Sequence, residues 1–133
     1  LRKLLQRRHI REGYFSQHAQ DKWIVEDIYD KAREGYFVEL AGGNGVLISN
    51  TYILETEYKW KGICIEANST LFEDLVRKRT CICDPSCVDG IVQDVKFTHT
   101  GMHSPDMLMC GIVDKDTANT KSDEFEIKRT VTL

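Results

Sequence analysis

Apolar residues change their spacing several times along this chain, and each change marks an element. Between residues 16 and 34, Trp23, Ile24 and Ile28 recur at helical intervals. Ser16 is positioned to cap that helix, with Gln20 and Asp21 in its first turns, and Gly35 breaks it. Residues 36 to 40, YFVEL, form an aromatic and β-branched run, the signature of a buried strand. A turn from Ala41 to Gly45 follows. The next helix is expected to run through Ile53 and Leu54 to about Tyr58, capped by Ser49, Asn50 or Thr51.

Residues 63 to 66 read as a second strand. Asn68, Ser69 or Thr70 then caps a helix whose Leu71, Phe72, Leu75 and Val76 share one face. Arg77, Lys78 and Arg79 at its end suit the helix dipole. Residues 80 to 88 form a third strand that Pro85 must shorten or distort. Looser alternation at 91 to 98 and 125 to 133 predicts two antiparallel strands, with a long loop over 99 to 124. The strand–helix–strand–helix–strand order predicts an α/β sheet of parallel strands with flanking helices. Right-handed crossovers place the Ala41–Gly45 turn and Glu66 on one carboxyl edge, where open α/β sheets bind ligands.

Composition narrows the partners. The chain has 133 residues, 18 Lys and Arg against 21 Asp and Glu, and a formal net charge of −3. That is one soluble domain with a small core, and the balance does not suit general nucleic-acid binding. No apolar run is long enough to span a bilayer and no secretory signal is visible. The chain opens on Leu1 and not on methionine, so a processed product or a fragment is expected. Membrane attachment would come only through a segment preceding residue 1, leaving cytoplasm and secretory pathway both open. Residues 1 to 15 are a basic N-terminal segment, and 16 to 133 the domain. A solvated helix packing its leucines is the preferred reading of residues 1 to 12, over a membrane-proximal stem.

Five cysteines, an odd number, argue against a complete internal disulfide framework. Cys64 lies in an apolar strand and reads as core. Cys81, Cys83 and Cys87 cluster, but their spacing fits no standard zinc pattern, so core packing or a disulfide is preferred. His99 and His103 sit near Asp106. A surface loop explains them better than a catalytic base does.

The candidate chemistry lies in residues 39 to 66. Gly42, Gly43 and Gly45 allow the backbone to approach a ligand closely. Ile48 replaces the third glycine of a dinucleotide fingerprint, and no Gly-Lys-Ser/Thr follows, so neither a nicotinamide site nor a P-loop fits. Glu39, just before the turn, would repel phosphate but could hold a cationic ligand. Glu66 could accept hydrogen bonds from ribose hydroxyls. A sulfonium-bearing nucleoside, S-adenosylmethionine, matches that charge pattern better than a phosphate-rich cofactor.

These residues carry a family resemblance. Ser16-Gln17, Gln20-Asp21 and Trp23 are followed in order by Gly35 to Glu39, Asn44-Gly45, Ser49-Asn50-Thr51 and Leu54-Glu55. Trp60-Lys61-Gly62, Ile65 to Asn68, Phe72, Leu75 and Arg79 complete the series. The chain thereby resembles the FkbM-type, S-adenosylmethionine-dependent methyltransferase domain over most of residues 16 to 90. The resemblance implies a Rossmann-like methyltransferase fold and O-methyl transfer to a small molecule or sugar. It implies that the turn Glu39, Ala41, Gly42, Gly43, Asn44 and Gly45 wraps the methionine part of the cofactor. By the same resemblance Glu66 holds the ribose, Asp89 lies near adenine, and Ser49 and Asn50 shape the pocket.

Two departures qualify that implication. Ala41 then Gly42 stand where the family has glycine then alanine, so a methyl group at Ala41 would crowd the cofactor or strain the backbone. The family also continues into a strand with an Asp-x-Glu-Gly type motif, so the chain is expected to be truncated before the fourth core strand. The alternative expectation is a non-catalytic member of the fold, acting through a partner protein. The animal Star-type trafficking proteins resemble the same family.

Overall fold

The computed structural model describes residues 13–98, 110–113, 115 and 125–132. The basic segment at 1 to 12, His99, His103 and Asp106 lie outside the described residues. The chain is a mixed α/β structure with two small sheets. Helix α1, Gln20–Trp23, widens into a π-helical turn over Ile24–Ile28. Strand β1, Tyr36–Leu40, leads through the glycine turn to helix α2, Tyr52–Thr56. Strand β2, Lys61–Ile65, leads to helix α3, Ser69–Lys78. Strands β3 (Ile82–Asp84), β4 (Cys87–Val88), β5 (Asp94–Thr98), β6 (Gly111–Ile112) and β7 (Phe125–Val131) follow.

The first sheet is parallel, in the order β1-β2-β3, with Glu39 beside Cys64 and Cys64 beside Cys83. Its pleat sends Phe37, Glu39 and Cys64 to the helix side, into a core with Tyr14, Val25, Ile53, Leu54, Trp60 and Leu75. Packing thus reaches Tyr14, ahead of the boundary expected at residue 16. The opposite face carries Tyr36, Val38, Leu40 and Ile82, each at least half exposed.

The helices are shorter than periodicity predicts. The first ends by Tyr29 because Asp30 and Lys31 adopt positive φ, at 44° and 59°, which no helix accommodates. Within it Asp21 is buried, and its carboxylate accepts the N–H groups of Phe15, Ser16 and Lys22 and the Ser16 hydroxyl. Helix α3 matches expectation best: Asn68 Oδ1 caps it by accepting from Thr70 and Leu71, and Leu71 and Leu75 are buried while Val76 faces solvent.

Pro85 divides the expected third strand. Residues before it pair with β2; residues after it, as β4, pair with β7 in a second sheet ordered β4-β7-β5-β6. The antiparallel pairing of β5 with β7 matches the predicted alternation. Residues 111 and 112, expected in a loop, instead pair with β5 as β6.

A buried ion cluster joins the elements of the first half. The Arg79 side chain is fully buried, and its Nε donates to Glu55 at 2.5 Å. Its Nη1 donates to the Gly45 carbonyl at 3.0 Å and lies 3.4 Å from Glu39, and Nη2 donates to Thr51 Oγ1 at 2.9 Å. The other Glu55 oxygen accepts the Thr80 N–H and hydroxyl and the Cys81 N–H, fixing the approach to β3. Burial alone would raise the Glu55 pKa, but hydrogen bonds from Thr80 and Arg79 outweigh it and hold the carboxyl below its ordinary range.

Removing the guanidinium leaves two buried carboxylates without their cation. Arg79→Met is expected to lower unfolding free energy by about 3–5 kcal/mol in urea titrations at neutral pH. Because the Glu55 pKa is lowered by folding, its contribution is present above the ordinary carboxylate pKa and lost as pH falls through the lowered value. Stability measured against pH is therefore expected to fall less steeply on acidification in Glu55→Gln than in the parent. Parallel curves would remove Glu55 from the account.

Candidate functional site

A cavity of about 320 Å³ opens at the carboxyl ends of β1 and β2. Leu40, Ala41 and Gly43 form one side of it, and Ile65, Glu66 and Ala67 another. The second sheet supplies the facing wall through Ser86, Cys87, Val88, Phe97 and residues 110 to 112. The walls are mainly apolar, and the volume falls within the range of small-molecule pockets.

Glu66 is the cavity's acid. It is only 5% exposed, yet it lines the space. Its Oε2 accepts the Gly43 N–H at 2.8 Å and its Oε1 accepts the Asn68 N–H at 2.7 Å. Each oxygen therefore uses one lone pair on the backbone and retains another. Two neighbouring acceptors are what a vicinal diol requires. Burial raises the Glu66 pKa above the ordinary carboxylate value, against the two backbone hydrogen bonds and the Lys128 charge, which lower it.

The glycine turn is locked from below. Gly42 N–H donates to Ile65 O at 3.0 Å, and a side chain at Gly42 would meet Leu75 Cδ1 at 2.9 Å. Asn44 Oδ1 accepts from the N–H groups of Val46 and Leu47, the turn bond expected of either asparagine or aspartate. Ala41 has φ of 54°, the left-handed region that alanine resists, and it lines the cavity. Of the two consequences anticipated for Ala41, the resisted backbone dihedral is the one observed.

Several expected site residues lie elsewhere. Glu39 points to the helix side of the sheet, where it accepts from Ser49, the Asn50 N–H, Thr51 and Arg79. It is not among the residues lining the cavity and instead borders a groove beside β1. The Ser49 hydroxyl donates to Glu39 while its oxygen accepts the N–H groups of Thr51 and Tyr52, so its role is to start α2. Asn50 lines that same groove. Gly45 packs on Arg79. Asp89, expected near adenine, instead pairs with Lys115 and accepts from Gln93 and Gly90, and these partners hold its pKa down to about 2. Of the expected residues, Ala41, Gly43 and Glu66 line the cavity.

The second-sheet wall was not singled out as a site, because its residues come together only when β4, β5 and β6 pair across long sequence separations. All five cysteines are free thiols. Burial raises the pKa of Cys64 to about 11 and also raises that of Cys87, so both are neutral near pH 7. Among the described residues no group of three or more His, Cys, Asp or Glu side chains could hold a metal ion.

Comparison of the chain with protein-family models, with curated proteins and with solved structures gave no match.

Ala41→Gly is expected to raise unfolding free energy by roughly 0.5–1 kcal/mol, the strain released less the freedom glycine adds to the unfolded chain. Denaturant titration reads this directly, and a loss of stability would show that the left-handed turn is not strained.

Proposed function

We propose that the chain binds S-adenosylmethionine in the cavity at the β1 and β2 carboxyl edge, as an FkbM-type methyltransferase domain of Rossmann-like fold would. The methyl acceptor in this reading is an oxygen atom of a small molecule or sugar. The observation that carries it is Glu66, a buried acid at the end of a parallel strand with one open acceptor site on each oxygen. The carboxylate would hold the ribose diol, the Ile65, Leu71 and Phe97 walls would take the flat base, and the turn backbone at Ala41 and Gly43 would border the remainder. When bound, the cofactor supplies a methyl group on a positively charged sulfur. The chain's own contribution is to bind and orient, since transfer in line from sulfonium to oxygen depends chiefly on positioning.

A second reading has support from particular observations. Glu39 is committed to Arg79 and Ser49, and Ala41, which lines the cavity, holds a left-handed φ that alanine resists. Both favour a non-catalytic member of the fold that works through a partner protein.

Calorimetric titration with S-adenosylhomocysteine separates the two. The first reading expects micromolar binding, weakened roughly tenfold or more in Glu66→Ala through loss of hydrogen bonds to a charged acceptor. Asp89→Asn should leave affinity within about twofold, because an exposed pair outside the cavity contributes little. Binding should also weaken as pH falls through the raised Glu66 pKa, because protonation turns an acceptor oxygen into a donor. No heat from a folded chain would favour the interaction reading.

A further inference from the structure

We propose that Cys64 and Cys83 are a disulfide-forming pair, closed by exchange with a low-molecular-weight disulfide, and that Cys64 turns from Glu39 on one side to Cys83 on the other as the bridge forms. Three side chains stand abreast across the first sheet: Glu39 on β1, Cys64 on β2 and Cys83 on β3. In-register neighbours on parallel strands point to one face, and both thiols pack against the same helix-side core. Their backbones are held at the spacing of adjacent strands, about 4.7–4.9 Å. A disulfide spans Cα atoms about 4.4–6.8 Å apart, so the register alone brings the pair within reach. Cys81 shares that face, and its thiol is in hydrogen-bonding contact with Cys64. Its backbone, however, lies two residues before Cys83, and strand spacing and rise set that diagonal at about 8 Å, beyond what a disulfide bridges without backbone movement.

In the reduced chain the Cys64 thiol donates to Glu39 Oε2 at 3.6 Å. Strands β1 and β3 flank β2 on opposite sides, so a bridge to Cys83 rotates the Cys64 sulfur away from Glu39 and withdraws one donor from the Arg79 cluster. Cys64 is fully buried and Cys83 only half-buried, which makes Cys83 the thiol that meets a reagent first. Its thiolate attacks one sulfur of the reagent disulfide, expels one reagent thiolate and leaves a mixed disulfide. Cys64 then attacks the Cys83 sulfur and expels the second reagent thiolate, which takes the Cys64 proton. Two protein thiols are thereby oxidised by two electrons, and one reagent disulfide is reduced to two thiols. Strand β3 is only three residues long and ends before Pro85, so it yields to the small adjustment the bridge requires. Burial raises the pKa of both thiols, that of Cys64 to about 11, so the exchange is slow near pH 7 and the bridge belongs to sustained oxidising conditions.

The test is to hold the 133-residue chain in glutathione disulfide at about pH 8 until the reaction stops, quench with acid, unfold, alkylate the remaining thiols and map the bridges by tandem mass spectrometry. The expected product joins Cys64 to Cys83 and is reversed by dithiothreitol. Cys83→Ser should abolish the Cys64 bridge, while Cys81→Ser should retain it. The unaltered chain oxidised in urea gives a reading that does not depend on how either variant folds: without the register, the preference for Cys64 with Cys83 should be lost. All five cysteines alkylated, glutathione adducts without a bridge, a bridge from Cys64 to Cys81, or the same preference in urea would each overturn the proposal.

Discussion

Arg79 is the constraint on which the first half of the structure rests. Its guanidinium is buried against two carboxylates, Glu39 and Glu55, and reaches the Gly45 carbonyl and Thr51 hydroxyl. Those partners belong to β1, α2 and the loop between them, while Arg79 itself ends α3. One side chain thus sets how the strand, the glycine turn and two helices meet. A lysine could not replace it, since a single ammonium lacks the planar fork that serves five partners at once, Ser49 Oγ being the fifth. Two acids against one base leaves an excess negative charge inside. It is carried by neutral donors: Ser49, Thr51 and the Asn50 N–H on Glu39, and Thr80 and Cys81 on Glu55.

This arrangement also shapes the cavity indirectly. The turn is gripped at Gly45 by Arg79 and at Gly43 by Glu66, which leaves Ala41 little choice of conformation. Its positive φ is the residual strain of a loop fixed at two points. The Glu66 clip places the ligand-side end of the turn against β2, and the cavity lies beyond it.

The parallel order of the first three strands was legible in sequence because each strand is an apolar run bounded by glycine or polar caps. A cap among Asn68, Ser69 and Thr70 and a strand disturbed at Pro85 followed from local chemistry alone; the structure makes the cap Asn68. The shortness of the first helix was hidden, because Lys31 does not announce positive φ and a lone Asp30 is as compatible with a helix as with a left-handed turn. The role of Arg79 was hidden for a different reason. At the end of a helix beside Arg77 and Lys78 it looks like one more dipole-facing cation, and only the fold reveals that it alone turns inward. The β4, β5 and β6 wall depends on pairing across sequence distances that no local pattern encodes.

Glu39 and Glu66 show most clearly where sequence reasoning stops. Both follow apolar runs at strand ends and flank the same turn, and both looked equally suited to a ligand. Glu39, however, lies within β1, where pleat parity puts it beside Cys64 and therefore under the helices. Glu66 lies one residue past β2, where parity no longer binds it and the chain has reached the carboxyl edge. A single position relative to the strand end thus separates an acid consumed by the core from one that faces the cavity. The helices decide which parity is buried, and they do so through Arg79, so the ion cluster that spends Glu39 also leaves Glu66 as the acid available to a ligand.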